Sequence, residues 1–357
     1  MKSSNIGGQA VIEGVMMRHD EDIAVAVRRP DGQIEVGKSR FENPAKKISF
    51  FRWPIVRGVA AFVMSLIIGI RTLTYSASFY EDDIEKEHGK TDKAIDSTFK
   101  SKGESAVMVF TVFVSLVIAI ALFIVLPYVI SSLILKFTNI TSSILLAVIE
   151  GVIKLAIFIG YIAVISKMKD IKRTFMYHGA EHKCINCIES GNELTVDNVM
   201  KASKAHRRCG TSFIFFVLFI SIIFFIFIRV DNVFLRLLIR LLLIPVIAGV
   251  SYEFIRWAGN SDSKAAAILS KPGLLMQGLT TKEPTRAMVE VGIASVEAVF
   301  DWRSYLEGLD DLFETEEIRV EEKKKSIEDV IAEPENEKRP AARVPSEKAD
   351  DETMKWL

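Results

Sequence analysis

The sequence predicts a mainly α-helical, polytopic membrane protein with a small β-rich cytoplasmic unit at its amino terminus. Two observations predict this fold class. Half of the 357 residues are hydrophobic, and long apolar runs recur between residues 53 and 256. The first 52 residues instead carry short apolar or alternating runs, which are typical of strands.

The charge balance and the cysteine count exclude other classes. Lysine plus arginine and aspartate plus glutamate are equal at 45 each, so the net charge gives no indication of a nucleic-acid partner, and none is expected. The first 25 residues lack a basic start followed by an apolar stretch, so no cleavable signal peptide is predicted. Three cysteines, all between 184 and 209, are unlike a secreted disulfide framework, whose cysteines are even in number and spread along the chain.

The chain divides into eight predicted segments. In order they are a β-rich unit (1–52), a short membrane-associated or re-entrant helix (53–80), a charged cytoplasmic connector (81–104), two transmembrane helices (105–166), a cytoplasmic His/Cys-rich segment (167–211), two transmembrane helices (212–256), cytoplasmic helices (257–312) and a disordered charged tail (313–357).

The β-rich unit is predicted from runs that suit strands and from one turn signal. The runs lie at 10–12, 23–27 and 34–36. Asp31-Gly32, between the last two runs, predicts a hairpin turn. Gly7-Gly8 and Gly14 provide flexible backbone close to the carboxylate of Glu13.

Four apolar runs are predicted to span the membrane, at 106–135, 144–165, 213–228 and 233–255. Pro127 predicts a kink in the first. Glu150 and Lys154, four residues apart in the second, predict either an internal ion pair or a functional site at membrane depth. A break at Lys271-Pro272-Gly273 is predicted between two later helices.

The basic residues predict the orientation. They are dense in 167–211, whereas the loop 136–143 carries only Lys136, so 167–211 is predicted to lie in the cytoplasm. Both termini then lie in the cytoplasm, which requires that the helix within 53–80 does not cross. The uninterrupted apolar core of that helix has only 13 residues, between Arg57 and Arg71.

Two motifs in 167–211 predict a zinc site. His178, Glu181 and His182 have the spacing H-x-x-E-H, the inverse of a zinc-protease motif, with two histidines as ligands and Glu181 as the base. Cys184-x-x-Cys187 with His206-x-x-Cys209 has instead the form of a closed structural zinc knuckle. On one unbroken helix, Cys187 would point away from the histidines. Either the helix breaks near Cys184, or some of these groups are not ligands. A third hypothesis is that these residues are buried thiols and polar groups at helix ends, and that they bind no metal.

Three signatures resemble a known family. Residues 7–18 (GGQAVIEGVMMR), residues 178–183 (HGAEHK) and the segment from His206 to Phe213 resemble the bacterial YqhQ-like membrane proteins. The resemblance covers about residues 5 to 305 and implies a membrane protein of unsettled function, labelled metal-dependent on motif grounds. It makes Cys184 optional and favours a site of His178, His182, Cys187, His206 and Cys209. Cys184, Glu189, Glu13 and Arg18 remain additional candidates, and the pairing of signatures suggests that the amino-terminal unit folds over the site.

Two hypotheses follow for the function. The first is a zinc-dependent hydrolase at the cytoplasmic face of the bacterial inner membrane, with Glu181 as the catalytic base. The alternative is a non-enzymatic membrane scaffold or partner-binding protein whose zinc is structural. Transport is a weaker option, because Glu150 and Lys154 are the plausible polar groups at mid-membrane depth. The lipid bilayer is the expected partner, and no protein partner is predicted.

Overall fold

A computed structural model describes residues 3–42, 48–80, 103–138, 142–206, 209–228, 230, 232–259, 261 and 263–308. The predicted tail (313–357) and all but the end of the predicted charged connector lie outside the described residues. The strands are β1 (Ile6–Val11), β2 (Gly14–His19), β3 (Asp22–Arg28) and β4 (Ile34–Arg40). The helices are α1 (Val56–Ser78), α2 (Gly103–Ile120), α3 (Leu126–Phe137), α4 (Ser143–Ile165), α5 (Lys169–Glu189), α6 (Val196–Lys201), α7 (Gly210–Ile226), α8 (Val233–Gly259), α9 (Lys264–Thr280) and α10 (Arg286–Glu297).

The amino-terminal sheet is an antiparallel meander in the order β1-β2-β3-β4, which confirms the predicted β-rich unit. The Asp31-Gly32 turn is also confirmed. Gly32 has a φ of 87°, and the Asp31 carboxylate accepts a hydrogen bond from the Gln33 amide. Strand β2 was not predicted, because it follows β1 after only two turn residues and ends in the polar pair Arg18-His19.

The sheet is covered on both faces. Side chains of β3 alternate between two cores, with Val25 packing near Ile68 of α1 and Ala26 packing near Tyr177 of α5. Helix α10 lies on the same face as α5, where Ser295 donates a hydrogen bond to the carbonyl of Ala24. Double coverage explains why the run 23–27 is apolar at every position instead of at every second one.

Four helices of the described part of the chain are long and apolar enough to cross a membrane, namely Val56–Ser78, Phe113–Ile134, Ala147–Ile165 and Leu238–Gly259. This set differs from the predicted one. Helix α1 has 23 residues because it continues past Arg71 to Ser78, whereas α7 has only 17 residues. A π-helical turn, Ala121–Val125, lies between α2 and α3 just before Pro127, where the kink was predicted.

The predicted break at Lys271-Pro272-Gly273 was wrong, because α9 runs through all three residues. Gly273 permits close packing between helices. A Cβ added to Gly273 would lie 2.9 Å from the Cβ of Ser212 on α7. The glycine is therefore needed for a tertiary contact, which a local reading of Pro-Gly as a breaker misses.

Glu150 pairs with Arg240 of α8. The two guanidinium nitrogens lie 2.5 and 3.1 Å from the carboxylate oxygens. Lys154 instead places its ammonium 5.4 Å from the ring centroid of Phe225, and Arg240 lies over the same ring. Two cations and one carboxylate therefore share a site between α4, α7 and α8.

Glu150→Gln is expected to destabilise the protein by about 3–5 kcal/mol, because it leaves the Arg240 guanidinium without its carboxylate. Lys154→Met is expected to cost much less, because it removes the second cation and leaves the Glu150–Arg240 pair intact. Unfolding of the purified protein in detergent measures both variants. Equal losses from the two changes would contradict the pairing described.

Candidate metal centre

Helix α5 positions the first two candidate ligands. It is unbroken from Lys169 to Glu189 and buried along most of its second half. His178 and His182 are one turn apart, so their rings lie side by side with centroids 4.4 Å apart.

Cys209 brings the third donor from another helix. It is the N-cap residue of α7, and its Sγ accepts a hydrogen bond from the Thr211 amide. The Sγ atom lies 3.3 Å from Nε2 of His178. One donor atom each from His178, His182 and Cys209 lies within 4.8 Å of the others. The fold therefore gathers two imidazoles and one thiol at the start of an apolar helix.

Backbone carbonyls orient both imidazole rings. Nδ1 of His178 lies 3.0 Å from the carbonyl oxygen of Thr280, and Nδ1 of His182 lies 2.7 Å from that of Lys204. Because a carbonyl oxygen only accepts hydrogen bonds, Nδ1 carries the proton in each neutral ring. Nε2 of each histidine is then left with a lone pair for a metal, as in many metal sites.

Glu181 is a buried carboxyl group beside this cluster. Its Oε2 lies 3.8 Å from Nε2 of His178, and its side chain is 7% exposed. Burial raises the pKa of Glu181 to about 7, while the nearby His178 and a hydrogen bond from the Gly8 amide act in the opposite direction. A carboxyl group with this pKa exchanges a proton readily near neutral pH.

The amino-terminal sheet lies directly over Glu181. A Cβ added to Gly8 of β1 would lie 2.7 Å from Cγ of Glu181, so the strand can approach only because residue 8 is glycine. The sequence marked Gly7-Gly8 as flexible backbone near an acid. In the structure the acid that contacts Gly8 is Glu181, whereas Glu13 lies in the turn between β1 and β2 and contacts α5 at Arg173 and Tyr177.

Glu13 fastens the sheet to α5. Its carboxylate is paired with the guanidinium of Arg173, with Nη2 2.6 Å from Oε2, and it accepts a hydrogen bond from the Tyr177 hydroxyl. Arg18 donates from Nε to the carbonyl of Asp20 at 2.8 Å. The structure thus brings the amino-terminal unit over the site, while Glu13 and Arg18 themselves stay outside the donor group.

Cys184 and Cys187 do not join the cluster. Both are buried in the core between the sheet, α5 and α10, and the thiol of Cys184 packs against Gly292. The thiol of Cys187 donates to the carbonyl of Glu193 at 3.4 Å. Burial raises the pKa of Cys184 and raises that of Cys187 to about 11, so both favour the neutral thiol. The helix does not break near Cys184, and Cys187 therefore points away from the histidines.

His206 and Glu189 lie next to the cluster. Nε2 of His206 is 3.6 Å from Oε2 of Glu189, and the His206 ring centroid is 5.6 Å from that of His182. Glu189 also accepts hydrogen bonds from the amide and hydroxyl of Ser4. The pair ties the amino terminus and the loop before α7 to the end of α5.

Three residues that the sequence analysis did not single out, Lys183, Lys204 and Glu283, hold the loop that orients His182. Lys183, whose side chain is 5% exposed, has its ammonium 2.6 Å from the Glu283 carboxylate and donates to the carbonyl of Met200. Lys204 also approaches Glu283, at 3.5 Å, and its carbonyl contacts His182. Only Lys183 carried a signal, as the last residue of the HGAEHK signature.

These features define the class of protein: it is mainly helical, it has a small amino-terminal sheet and a group of two histidines and one cysteine, and its described residues include four helices that could cross a membrane. The family model described as "Protein of unknown function (DUF1385)" matches residues 53–302. The chain is also 35% identical over 298 residues to the uncharacterized protein YqhQ of Bacillus subtilis (strain 168), covering 81% of this chain and 90% of that protein. The chain belongs to this YqhQ-like family of unknown function, which confirms the resemblance. No solved structure matches it.

Proposed function

We propose that this protein is a zinc-dependent hydrolase at the cytoplasmic face of the bacterial inner membrane. The observation that carries the proposal is the convergence of His178, His182 and Cys209 with both Nδ1 atoms held by backbone carbonyls. Imidazole nitrogen and thiolate sulfur are the donors that zinc prefers, and three protein donors leave a fourth position open.

The separations fit such an ion. Tetrahedral zinc with ordinary bond lengths places neighbouring nitrogen and sulfur ligands about 3.3–3.6 Å apart. The 3.3 Å between Nε2 of His178 and Sγ of Cys209 falls in that range. The third donor lies within 4.8 Å of both, so the site closes with a small movement of one ring.

Glu181 is proposed as the general base. A zinc ion bound here would supply a Lewis acid and a bound water of lowered pKa. Glu181 lies beside His178 at the edge of the donor group, where its carboxylate can take a proton from a water and return it to a leaving group. Burial under β1 excludes bulk water from this carboxylate.

The membrane location is supported by the apolar helices and by the distribution of basic residues. Large apolar side chains of the long helices are exposed, for example Phe113 at 61% and Leu242 at 67%, which suits contact with lipid. The basic residues of 167–211 favour the cytoplasm for the metal centre and for both termini.

The alternative is a scaffold or partner-binding protein with a structural zinc. A structural site normally closes with four protein ligands. Among the residues that the structure describes, the donor group contains three. Cys184 and Cys187, which a closed knuckle requires, face the core, and this favours the open, catalytic type of site.

The cobalt(II)-substituted protein distinguishes the two types without knowledge of the substrate. We expect a thiolate-to-cobalt charge-transfer band, and we expect azide to change the visible ligand-field bands by entering the open position. A closed site would give the charge-transfer band and no response to azide, which would favour the scaffold. Absence of the band would contradict both functions. Cys209→Ser is the control that should remove the band.

A further inference from the structure

Helix α1 divides into two faces of opposite character. Large apolar residues at helical spacing are exposed on one face, with Val63 at 46%, Leu66 at 50%, Ile67 at 40% and Ile70 at 67%. The opposite face is buried, and Met64, Ile68, Thr72 and Ser76 are its members. The helix therefore shows its most apolar stripe outward, which is unfavourable in water.

The carboxyl-terminal half of α1 covers the sheet. Ile68 packs with the apolar side chains of β2 and β3, and Gly69 lies against the side chain of Gln9. The hydroxyl of Ser76 accepts a hydrogen bond from the amide of Ile12 at 3.1 Å. Residues 68–78 are thus part of the same layered unit as the sheet.

That unit cannot be immersed in hydrocarbon, although its exposed apolar face can rest on lipid. Strands β1 and β4 are open edges of the sheet, and open edges leave backbone groups that require water. Strand β4 also exposes Glu35, Lys38 and Arg40. The part of α1 that remains, Val56 to Ile67, is only about 18 Å long, against about 30 Å for a bilayer core.

The amino-terminal end of α1 lies against α8, which could cross the membrane, and against the start of the shorter helix α7. Arg57 forms a two-bonded pair with Glu253 near the end of α8, and Nε of Arg57 is 2.5 Å from Oε1. A Cβ added to Gly58 would lie 2.9 Å from the Cα of Gly249. Phe62 stacks near Phe213, four residues after Cys209, with ring centroids 5.4 Å apart. The amino-terminal half of α1 therefore contacts the second half of α8 and the first turn of α7, which begins next to Cys209.

We propose that α1 lies in the plane of the membrane surface, with the sheet on one face and lipid on the other. Its exposed stripe docks into the lipid interface on the side that carries the metal centre. Large apolar side chains of the neighbouring α8 are exposed as well, and the exposed Phe50 and Trp53 just before α1 suit the headgroup region. This inference rests on the membrane location proposed above and goes beyond it, because length and composition alone would let α1 cross.

The consequence concerns the metal centre. Gly69 of α1 contacts Gln9, and the preceding residue of β1, Gly8, contacts Glu181. A surface helix holds the sheet, and with it the cover over Glu181, against the membrane. The hydrolase would then meet substrates at the lipid surface.

Nitroxide labels on Ile70→Cys, Lys38→Cys and Ile120→Cys in lipid vesicles test this placement. The native cysteines are buried, and the protein without added cysteine gives the background. Collisions with oxygen and with a water-soluble nickel complex report depth. We expect Ile70 to be in lipid but shallower than Ile120 of α2, and Lys38 of β4 to be in water. An Ile70 label reached mainly by nickel would overturn the docking, whereas an Ile120 label in water would overturn the membrane location itself.

Labelling with a membrane-impermeant maleimide gives the sidedness. Lys38→Cys precedes α1 and Ser78→Cys ends it, and both side chains are exposed. We expect the two cysteines to react from the same side of sealed vesicles. Reaction from opposite sides would mean that α1 crosses the membrane, and the proposal would be wrong.

Discussion

Cys209→Ser and His182→Ala are expected to reduce bound zinc from about one ion per chain to near none, whereas Cys187→Ser should keep it. The first two remove donors from the group that the structure gathers. The side chain of Cys187 points away from the histidines into the core, and its thiol donates a hydrogen bond to a backbone carbonyl. Elemental analysis of the purified variants, with protein concentration from amino-acid analysis, measures the ratio.

The zinc content of Cys187→Ser distinguishes the two metal-site hypotheses that the sequence motifs suggest. Zinc retained in Cys187→Ser supports the open site, whereas loss of zinc from a folded Cys187→Ser would support the closed knuckle. Glu181→Gln is the matched variant inside the site. It keeps the size of the side chain and should keep the metal, since the carboxylate is not needed as a ligand. Loss of zinc from Glu181→Gln would make this residue a ligand and remove it as the base.

Gly179→Ala is expected to weaken metal binding, although Gly179 is not itself a donor. A Cβ on Gly179 would overlap the carbonyl oxygen of Lys282. That segment cannot move away freely, because the Lys282 amide donates to the carbonyl of Phe175 on α5. If the segment around Lys282 were pushed away from α5, the Thr280 carbonyl would move away from Nδ1 of His178. We expect a loss of about 10–100-fold in metal affinity, the usual cost of losing a group that orients a ligand, and destabilisation of about 1–3 kcal/mol from overpacking.

Gly278→Ala is the matched control for that substitution. Gly278 lies in α9 close to the same segment, and nothing lies within 4 Å of a Cβ added there. Alanine at a helix interior should be neutral or stabilising by up to about 1 kcal/mol. Competition with a chelating dye gives the affinities, and thermal unfolding gives the stabilities. Equal metal affinity in the two variants would show that the close contact at Gly179 does not support the site.

Several features could be predicted because they depend on local periodicity. The four-residue spacing of His178 and His182 places both rings on one face of any helix, and α5 has this arrangement. The short apolar runs and the Asp31-Gly32 turn predicted a β-rich unit with a hairpin in the same way, although strand β2 of the meander was not predicted. The apolar runs predicted long helices, although their number and ends differ in part.

Other features depended on partners that are distant in the chain. Glu150 has a lysine one turn away, yet its carboxylate is paired with Arg240, 90 residues later. Gly273 reads locally as a breaker, but it allows contact with α7. In both cases a long-range contact outweighs the local pattern.

The sequence by itself determined that soft ligands gather between apolar helices and that the two histidines share a helix face. It did not determine which cysteine meets them, because a motif spacing fits both an open and a closed site. The tertiary structure decided this through the unbroken course of α5, which turns Cys187 into the core, and through the start of α7, which presents Cys209. Only packing against the sheet revealed that Glu181 is buried under Gly8. The donors of a metal site come from distant parts of the chain, so tertiary packing decides which residues are donors more than the spacing of a sequence motif does.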